Sequence, residues 1–328
     1  MEQVRRRHFL LATGALLAAP LAARAQPAQK VYRVGVLSYF TPREVFFRNL
    51  PIAMRKLGYE EGRNITYDYR FAEGHADRLA GLAAGLVADK VDLILAWSNA
   101  EIVAAKKATS TIPIVMMAGL AIAEMGLVAS LARPGGNLTG TVVIGPETAG
   151  KIIQILHDAV PRATRVFLLV DEAGFPGMEL YNRVSARAAA AMGIKLTQIQ
   201  VGTVAELDAA LARIAKERPD AIKVVGGRVL SPHRARVIDF VARQRLPAIY
   251  TSKLPVTEGG LMSYQSDPAE LPPRTAAIAD RILTGANPAE VPIEQPTRYE
   301  LVINLKTAKA LGIAIPQSLL VRVDQVIE

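Results

Sequence analysis

Few side chains in this sequence can do covalent or metal chemistry. There is no cysteine, and the four histidines, at positions 8, 75, 157 and 233, share no spacing typical of metal ligands. Thiol nucleophiles, disulfide scaffolds, iron–sulfur clusters and cysteine-ligated zinc are thereby removed. His75 and His233 fall near expected helix starts, where capping or solvation is their reading. No G-x-S-x-G elbow, G-x-x-x-x-G-K-[ST] phosphate loop or H-E-x-x-H pair occurs. The first strand-to-helix junction reads Gly35-Val36-Leu37-Ser38-Tyr39-Phe40-Thr41-Pro42, without the glycines of a dinucleotide fingerprint. Neither an enzyme nor a bound cofactor or metal is expected.

What recurs instead is a set of small, polar and aromatic residues at the ends of apolar runs. Ser38 and Tyr39 follow the first run. Trp97, Ser98 and Asn99 follow VDLILA, and Ala118 and Gly119 follow IPIVMM. In the second half Asp171 closes RVFLLVD, Gly226 and Gly227 follow DAIKVV, Tyr250 and Ser252 stand at the end of PAIYT, and Tyr264 closes GLMSY. Open parallel sheets bind ligands outside their strand ends. Hydroxyls and amides there, beside free N–H groups of the helices that follow, suit an anion such as a carboxylate. Trp97 either packs in the core or offers a flat apolar face for a ligand ring. Ser38, Ser98, Asn99 and Ser252 also have the chemistry of helix caps; their recurrence in both halves favours a site between two lobes. Arg228, after the paired glycines, has two readings, the commoner one a surface arginine and the other a partner for a ligand carboxylate or phosphate.

These residues need strands and helices in alternation, and the hydrophobic pattern supplies them. Strand-like runs at 31–37, 64–71, 91–96, 112–117 and 138–144 alternate with helical stripes at 43–57, 75–90, 99–109 and 123–132. After Pro146 the rhythm restarts: helices at 147–160, 179–192, 204–218 and 232–244 separate strands at 165–171, 194–201, 220–225 and 247–251. Helices of this length between strands imply right-handed crossovers and parallel sheets. With about five strands in each half, the expected fold is α/β, two doubly wound parallel-sheet lobes joined by a multi-strand hinge. The tail continues with a strand at 260–264, a helix at 270–283, a strand at 299–303 and a helix at 305–311.

The N-terminus reads as an export signal. Arg5, Arg6 and Arg7 precede an apolar stretch from Phe9 to Leu21, and Ala23-Arg24-Ala25 is an A-x-A cleavage site. Arg6-Arg7-His8-Phe9-Leu10 is similar to a twin-arginine signal. Cleavage after Ala25 removes four arginines and one glutamate, so the formal charge of +9 on 328 residues becomes +6 on 303. The remaining cations are scattered among acids, and aromatics make up 5%. A nucleic-acid surface needs clustered cations and is not expected. The expected product is a periplasmic monomer.

Longer stretches carry a resemblance. Residues 55–65 (RKLGYEEGRNI), 104–115 (AAKKATSTIPIV), 126–140 (GLVASLARPGGNLTG), 259–264 (GGLMSY) and 300–312 (ELVINLKTAKALG) occur in order along the chain. The chain resembles the ABC-transporter substrate-binding proteins of the tryptophan/tyrosine-binding type, with the periplasmic-binding-protein type I fold. The resemblance implies capture of a small molecule by lobe closure and docking on an ABC permease in the inner membrane. It implies a tail shared between lobes, so that 26–145 with about 262–288 form the first and 146–261 with about 289–328 the second. Two loops depart from the family pattern. Ala118-Gly119-Leu120-Ala121 stands where relatives carry an acidic turn, and Gly226-Gly227-Arg228 where they carry a Pro/Asp-containing loop. The favoured ligand is an amino acid or a small aromatic or aliphatic carboxylate. Two alternatives are a periplasmic sensor signalling to a membrane receptor and an exported nucleotide-dependent oxidoreductase, which the missing glycine fingerprint disfavours.

Overall fold

The structure is a computed structural model describing residues 30–39, 41, 45–144, 146–171 and 176–328. The expected export segment, 1–25, lies outside the described residues. Tyr32–Glu328 cluster as one compact unit, whose strands form two sheets.

The first sheet contains β1 (Tyr32–Ser38), β2 (Ile65–Phe71), β3 (Leu93–Ala96), β4 (Ile114–Leu120) and β5 (Leu138–Ile144), all parallel, in the order β2-β1-β3-β4-β5. Its central strands β3 and β4 are continuously apolar because both faces are covered, whereas the edge strand β2 alternates. Val34, Val36, Leu93, Leu95, Val115 and Met117 pack under the helix Leu271–Leu283. Leu37, Ile94, Ala96, Ile114 and Met116 pack on the opposite side with Leu79, Ala83, Leu86, Ile102 and Ala105 of the helices Leu79–Ala88 and Asn99–Ala108. Between β4 and β5 the two backbones come close at Gly140. Gly140 has φ +133°, and a Cβ there would lie 2.1 Å from the Met116 carbonyl oxygen, so only glycine fits.

The second sheet contains β6 (Arg165–Asp171), β7 (Lys195–Val201), β8 (Ala221–Val225), β9 (Ala248–Tyr250), β10 (Met262–Ser266), β11 (Tyr299–Asn304) and β12 (Gln325–Ile327), in the order β12-β11-β10-β9-β8-β6-β7. Its first five strands repeat the 2-1-3-4-5 order of the other sheet. Only the β10–β11 pair is antiparallel. The helices Val204–Glu217 and Arg234–Arg243 cover one face. Pro146–Ala159 and Met178–Ala191 cover the other. The helix Val204–Glu217 starts on a capping box, in which Thr203 accepts from the Glu206 amide and Glu206 accepts from the Thr203 amide.

The helix expected over 123–132 is absent. Ala121 and Gly126 hold positive φ of 52° and 69°, and the segment runs as successive turns with Ile122 and Val128 buried. The expected lobe boundaries at 262 and 289 also shift. Met262–Ser266 pairs with β9 and β11, so it belongs to the second sheet. Val291 and Ile293 still pack in the first lobe, and Glu294 bridges to Thr141. The segments crossing between lobes are therefore 266–271 and 294–299, besides the passage from β5 into Pro146–Ala159. No described helix is long and apolar enough to cross a membrane.

Candidate ligand-binding cleft

Both sheets present the carboxyl ends of their parallel strands to the junction of the lobes. In the first lobe, β1 pairs Ser38 with Phe71 and Leu37 with Ala96; the next residue in that register sets Ser38 beside Trp97. Strand alternation turns Phe71, Ser38 and Trp97 to one face, where Phe71 and Trp97 pack half-buried at the edge of the apolar core. Two aromatic rings thus flank a serine across three adjacent strands. Phe71 closes the strand-like run 64–71, so its place at a strand end was legible, but it was not among the residues expected at the site.

Tyr39 points to the other face and is 6% exposed. Its amide donates to Glu101 Oε1 at 2.6 Å, and its hydroxyl donates to the Gly74 carbonyl at 2.5 Å. Glu101 Oε2 accepts from the Ser98 amide at 3.2 Å and from the Ser98 hydroxyl. Ser98 is therefore the cap of the helix Asn99–Ala108, and Glu101, three residues on, completes a capping box that the S-x-x-E spacing already held. Burial raises the Glu101 carboxyl, against the pull of its hydrogen bonds from Ser98 and Tyr39.

Asn99 spans the lobes. Its Oδ1 accepts from the Leu120 amide at 2.9 Å, and its Nδ2 donates to the carbonyls of Leu120, at 2.7 Å, and of Pro176 in the second lobe, at 2.6 Å. Gly177 permits this approach: it has φ +89°, and a Cβ there would sit 2.9 Å from Asn99 Nδ2. Ala118 and Gly119 lie within β4 rather than beyond it, since the strand runs to Leu120 through a register shift. Gly119 is packed against Met116 and Ile122, and Leu120 and Ala121 join an apolar cluster with Leu168, Val170, Met178 and Val225 of the second lobe.

In the second lobe Asp171 organises the loop after β8. Its Oδ2 accepts from the amides of Val229 and of Leu230, the latter at 3.1 Å. Gly227 lies against it, with a Cβ position 2.8 Å from Asp171 Cβ, and a Cβ on Gly226 would meet Ser231 Oγ at 2.8 Å. Burial raises the Asp171 carboxyl, opposed by these amides and by the Arg228 charge. The loop so held extends Arg228 to the first lobe. Arg228 Nη1 donates to the Tyr39 hydroxyl at 2.9 Å, and its guanidinium carbon lies 5.7 Å from the Tyr39 ring centroid.

Three expected residues are placed elsewhere. Tyr250 is 2% exposed inside the second lobe's core, because β9 is a central strand covered on both faces. Tyr264 stacks on Tyr299, with centroids 5.5 Å apart, beside the hinge. Ser252 is exposed in a groove of about 980 Å³ with Lys253, Gln265, Thr297 and Tyr299, none of which touches the Tyr39–Arg228 contact. No cluster of metal-binding side chains occurs among the described residues.

The family model described as ABC transporter substrate binding protein matches residues 49–327. The chain belongs to that family. As a substrate-binding protein it is not an enzyme and binds a small molecule. It is 26% identical over 263 residues to a tyrosine-binding protein of Clostridioides difficile (strain R20291), covering 79% of this chain and 74% of that one. A Streptococcus pneumonia ABC domain solved in complex with L-Trp is 24% identical with a TM-score of 0.82, covering 91% of this chain and all of that one. A ligand-free, open substrate-binding protein with adhesive properties from Clostridium difficile is 22% identical with a TM-score of 0.67, over 90% and 99% of the two chains. The type I periplasmic-binding fold expected from the sequence is the fold of this substrate-binding protein.

Proposed function

We propose that this substrate-binding protein is exported by its first 25 residues and acts as a periplasmic monomer. In this reading it delivers an amino acid or a small aromatic or aliphatic carboxylate to an ABC importer. The observation that carries the reading is the pair of polar links between lobes, Arg228 to Tyr39 and Asn99 to the Pro176 carbonyl. Each joins a residue just past a strand end of the first lobe to a loop of the second, so the lobes meet where a ligand would be enclosed. A ligand touching both lobes gains its full contacts only when they close, and its differential affinity shifts the population to the closed form. The permease reads that form. Phe71 and Trp97 supply flat apolar walls for a ring, and the names of the relatives, tyrosine-binding and L-Trp-bound, are consistent with such a ligand.

A thermal-shift screen over amino acids, aromatic acids and other small carboxylates tests this, since a ligand of the native state raises the melting temperature. Shifts confined to sugars or nucleotides overturn the ligand class. Trp97→Ala is expected to reduce the shift while the protein stays folded; an unfolded product would make Trp97 a core residue only.

A further inference from the structure

The junction of the lobes holds a side chain that an oxidant can change. With no cysteine in the chain, its sulfur is all in methionines. Among the described residues Met54, Met116, Met117, Met178 and Met262 are less than a tenth exposed, each inside an apolar cluster. Met192 is half-buried and packs against the second lobe's core.

Met125 is placed differently. It is half-buried in the turns that follow β4, and its Sδ accepts from Asn99 Nδ2 at 3.2 Å. The same nitrogen donates to the carbonyls of Leu120 and of Pro176. Two hydrogens are therefore shared among three acceptors, of which the thioether is the weakest. The sulfur also lies against the second lobe, 2.9 Å from where a Cβ on Gly177 would stand.

Oxidation alters both relations. Hydrogen peroxide passes one oxygen to Sδ: its O–O bond breaks, the sulfur gives up two electrons to form an S–O bond, and the other oxygen leaves as water. The sulfoxide is polar, and its oxygen competes for hydrogens that the thioether left to the carbonyls. The hydrogen drawn toward it is lost to the Pro176 carbonyl, and the close approach at Gly177 leaves no room for an added atom on that side.

We propose that Met125 is a site of reversible oxidation by peroxides, and that its sulfoxide breaks the Asn99–Pro176 link and opens the cleft. The consequence for ligand capture rests on the function proposed above; the opening itself is measured without ligand, so the two readings fail separately.

The test treats purified, ligand-free protein with hydrogen peroxide and follows it by peptide mass spectrometry and small-angle X-ray scattering. A gain of one oxygen is expected at Met125 several-fold faster than at the buried methionines, since susceptibility follows exposure. The radius of gyration is expected to rise with the extent of that gain, and the two epimer-specific methionine sulfoxide reductases are expected to reverse both changes. Met125→Leu conserves volume and is expected to keep its radius of gyration through the same treatment, whereas Met192→Leu should respond as wild type does. Buried methionines oxidising as fast as Met125 overturn the proposal, as does complete Met125 sulfoxide with unchanged scattering. Expansion of Met125→Leu equal to wild type, or expansion that survives reduction, overturns it too.

Discussion

Arg228, on the loop after β8 in the second lobe, donates from Nη1 to the hydroxyl of Tyr39, at the end of β1 in the first, over 2.9 Å. The Tyr39 hydroxyl in turn donates to the Gly74 carbonyl. One phenol oxygen thus ties a strand end and the loop after β2 in its own lobe to the only cationic side chain that the other lobe brings to it among the described residues.

Removing that oxygen should loosen closure. A hydrogen bond to a charged donor contributes about 1.5–3 kcal/mol when buried, and this half-buried one is discounted to about 1 kcal/mol. Tyr39→Phe is expected to raise the radius of gyration of the ligand-free protein in small-angle X-ray scattering, as more molecules open. Scattering identical to wild type would mean that the bridge does not hold the lobes together.

Asn99→Ala tests the second link. Leu120 would lose partners for both its amide and its carbonyl, and Pro176 a partner for its carbonyl. Buried groups left unpaired cost about 1–3 kcal/mol each, and with unfolding entropy growing with length a chain of about 300 residues shifts its midpoint by roughly 1.6 °C per kcal/mol. Calorimetry should therefore record a midpoint several degrees lower, with weaker ligand binding. A loss of affinity at unchanged midpoint would instead make Asn99 a direct ligand contact.

How much of this was readable beforehand follows from where each partner lies. The parallel sheets were legible because central strands such as β3, β4 and β6 are buried on both faces and so read as nearly uninterrupted apolar runs. The Ser98–Glu101 capping box was legible because its partners are three residues apart. Asn99 to Pro176 spans 77 residues and Arg228 to Tyr39 spans 189, and no local pattern encodes either. The helix expected over 123–132 had the right spacing of apolar residues, but Gly126 takes positive φ and the turns bury Ile122 and Val128 instead. Tyr250 looked like a cleft residue because it ends a strand; the side to which it turns, into the core, depends on a register only the sheet fixes.

The hinge carries its own pH dependence. Glu270 accepts from the Thr297 hydroxyl and amide and from the Arg298 amide, and Arg274 donates to both Glu270 and Thr297, so the two crossing segments are bound to each other. Against some desolvation, these hydrogen bonds and the Arg274 charge hold the Glu270 carboxyl at about 2. Its folded value lies below the ordinary 4.5, so its contribution to stability is present above about 4.5 and lost as pH falls toward 2. Glu270→Gln is expected to flatten the acid limb of a stability-against-pH curve measured by urea denaturation. An acid limb parallel to wild type would remove Glu270 from this role.

Lys223 gives a slope of the same sign at the other end of the scale. It is fully buried on β8, where its Nζ donates to Ser185 Oγ at 2.8 Å and lies 4.4 Å from the centroid of the Tyr181 ring, with no carboxylate among its partners. Desolvation lowers its amine from 10.5 to about 7. Between those values the unfolded chain binds a proton that the native protein does not, so stability rises with pH from about 7, and the penalty for charging the amine is complete below it. Measurements between pH 7 and 9 stay below the titration of the tyrosines (their ordinary value is about 10), which would otherwise reverse the trend. Lys223→Met retains the apolar stem and removes the amine. It is expected to raise the urea midpoint at pH 7 and to abolish the rise toward pH 9. A variant that keeps the wild-type slope would show that another group carries it.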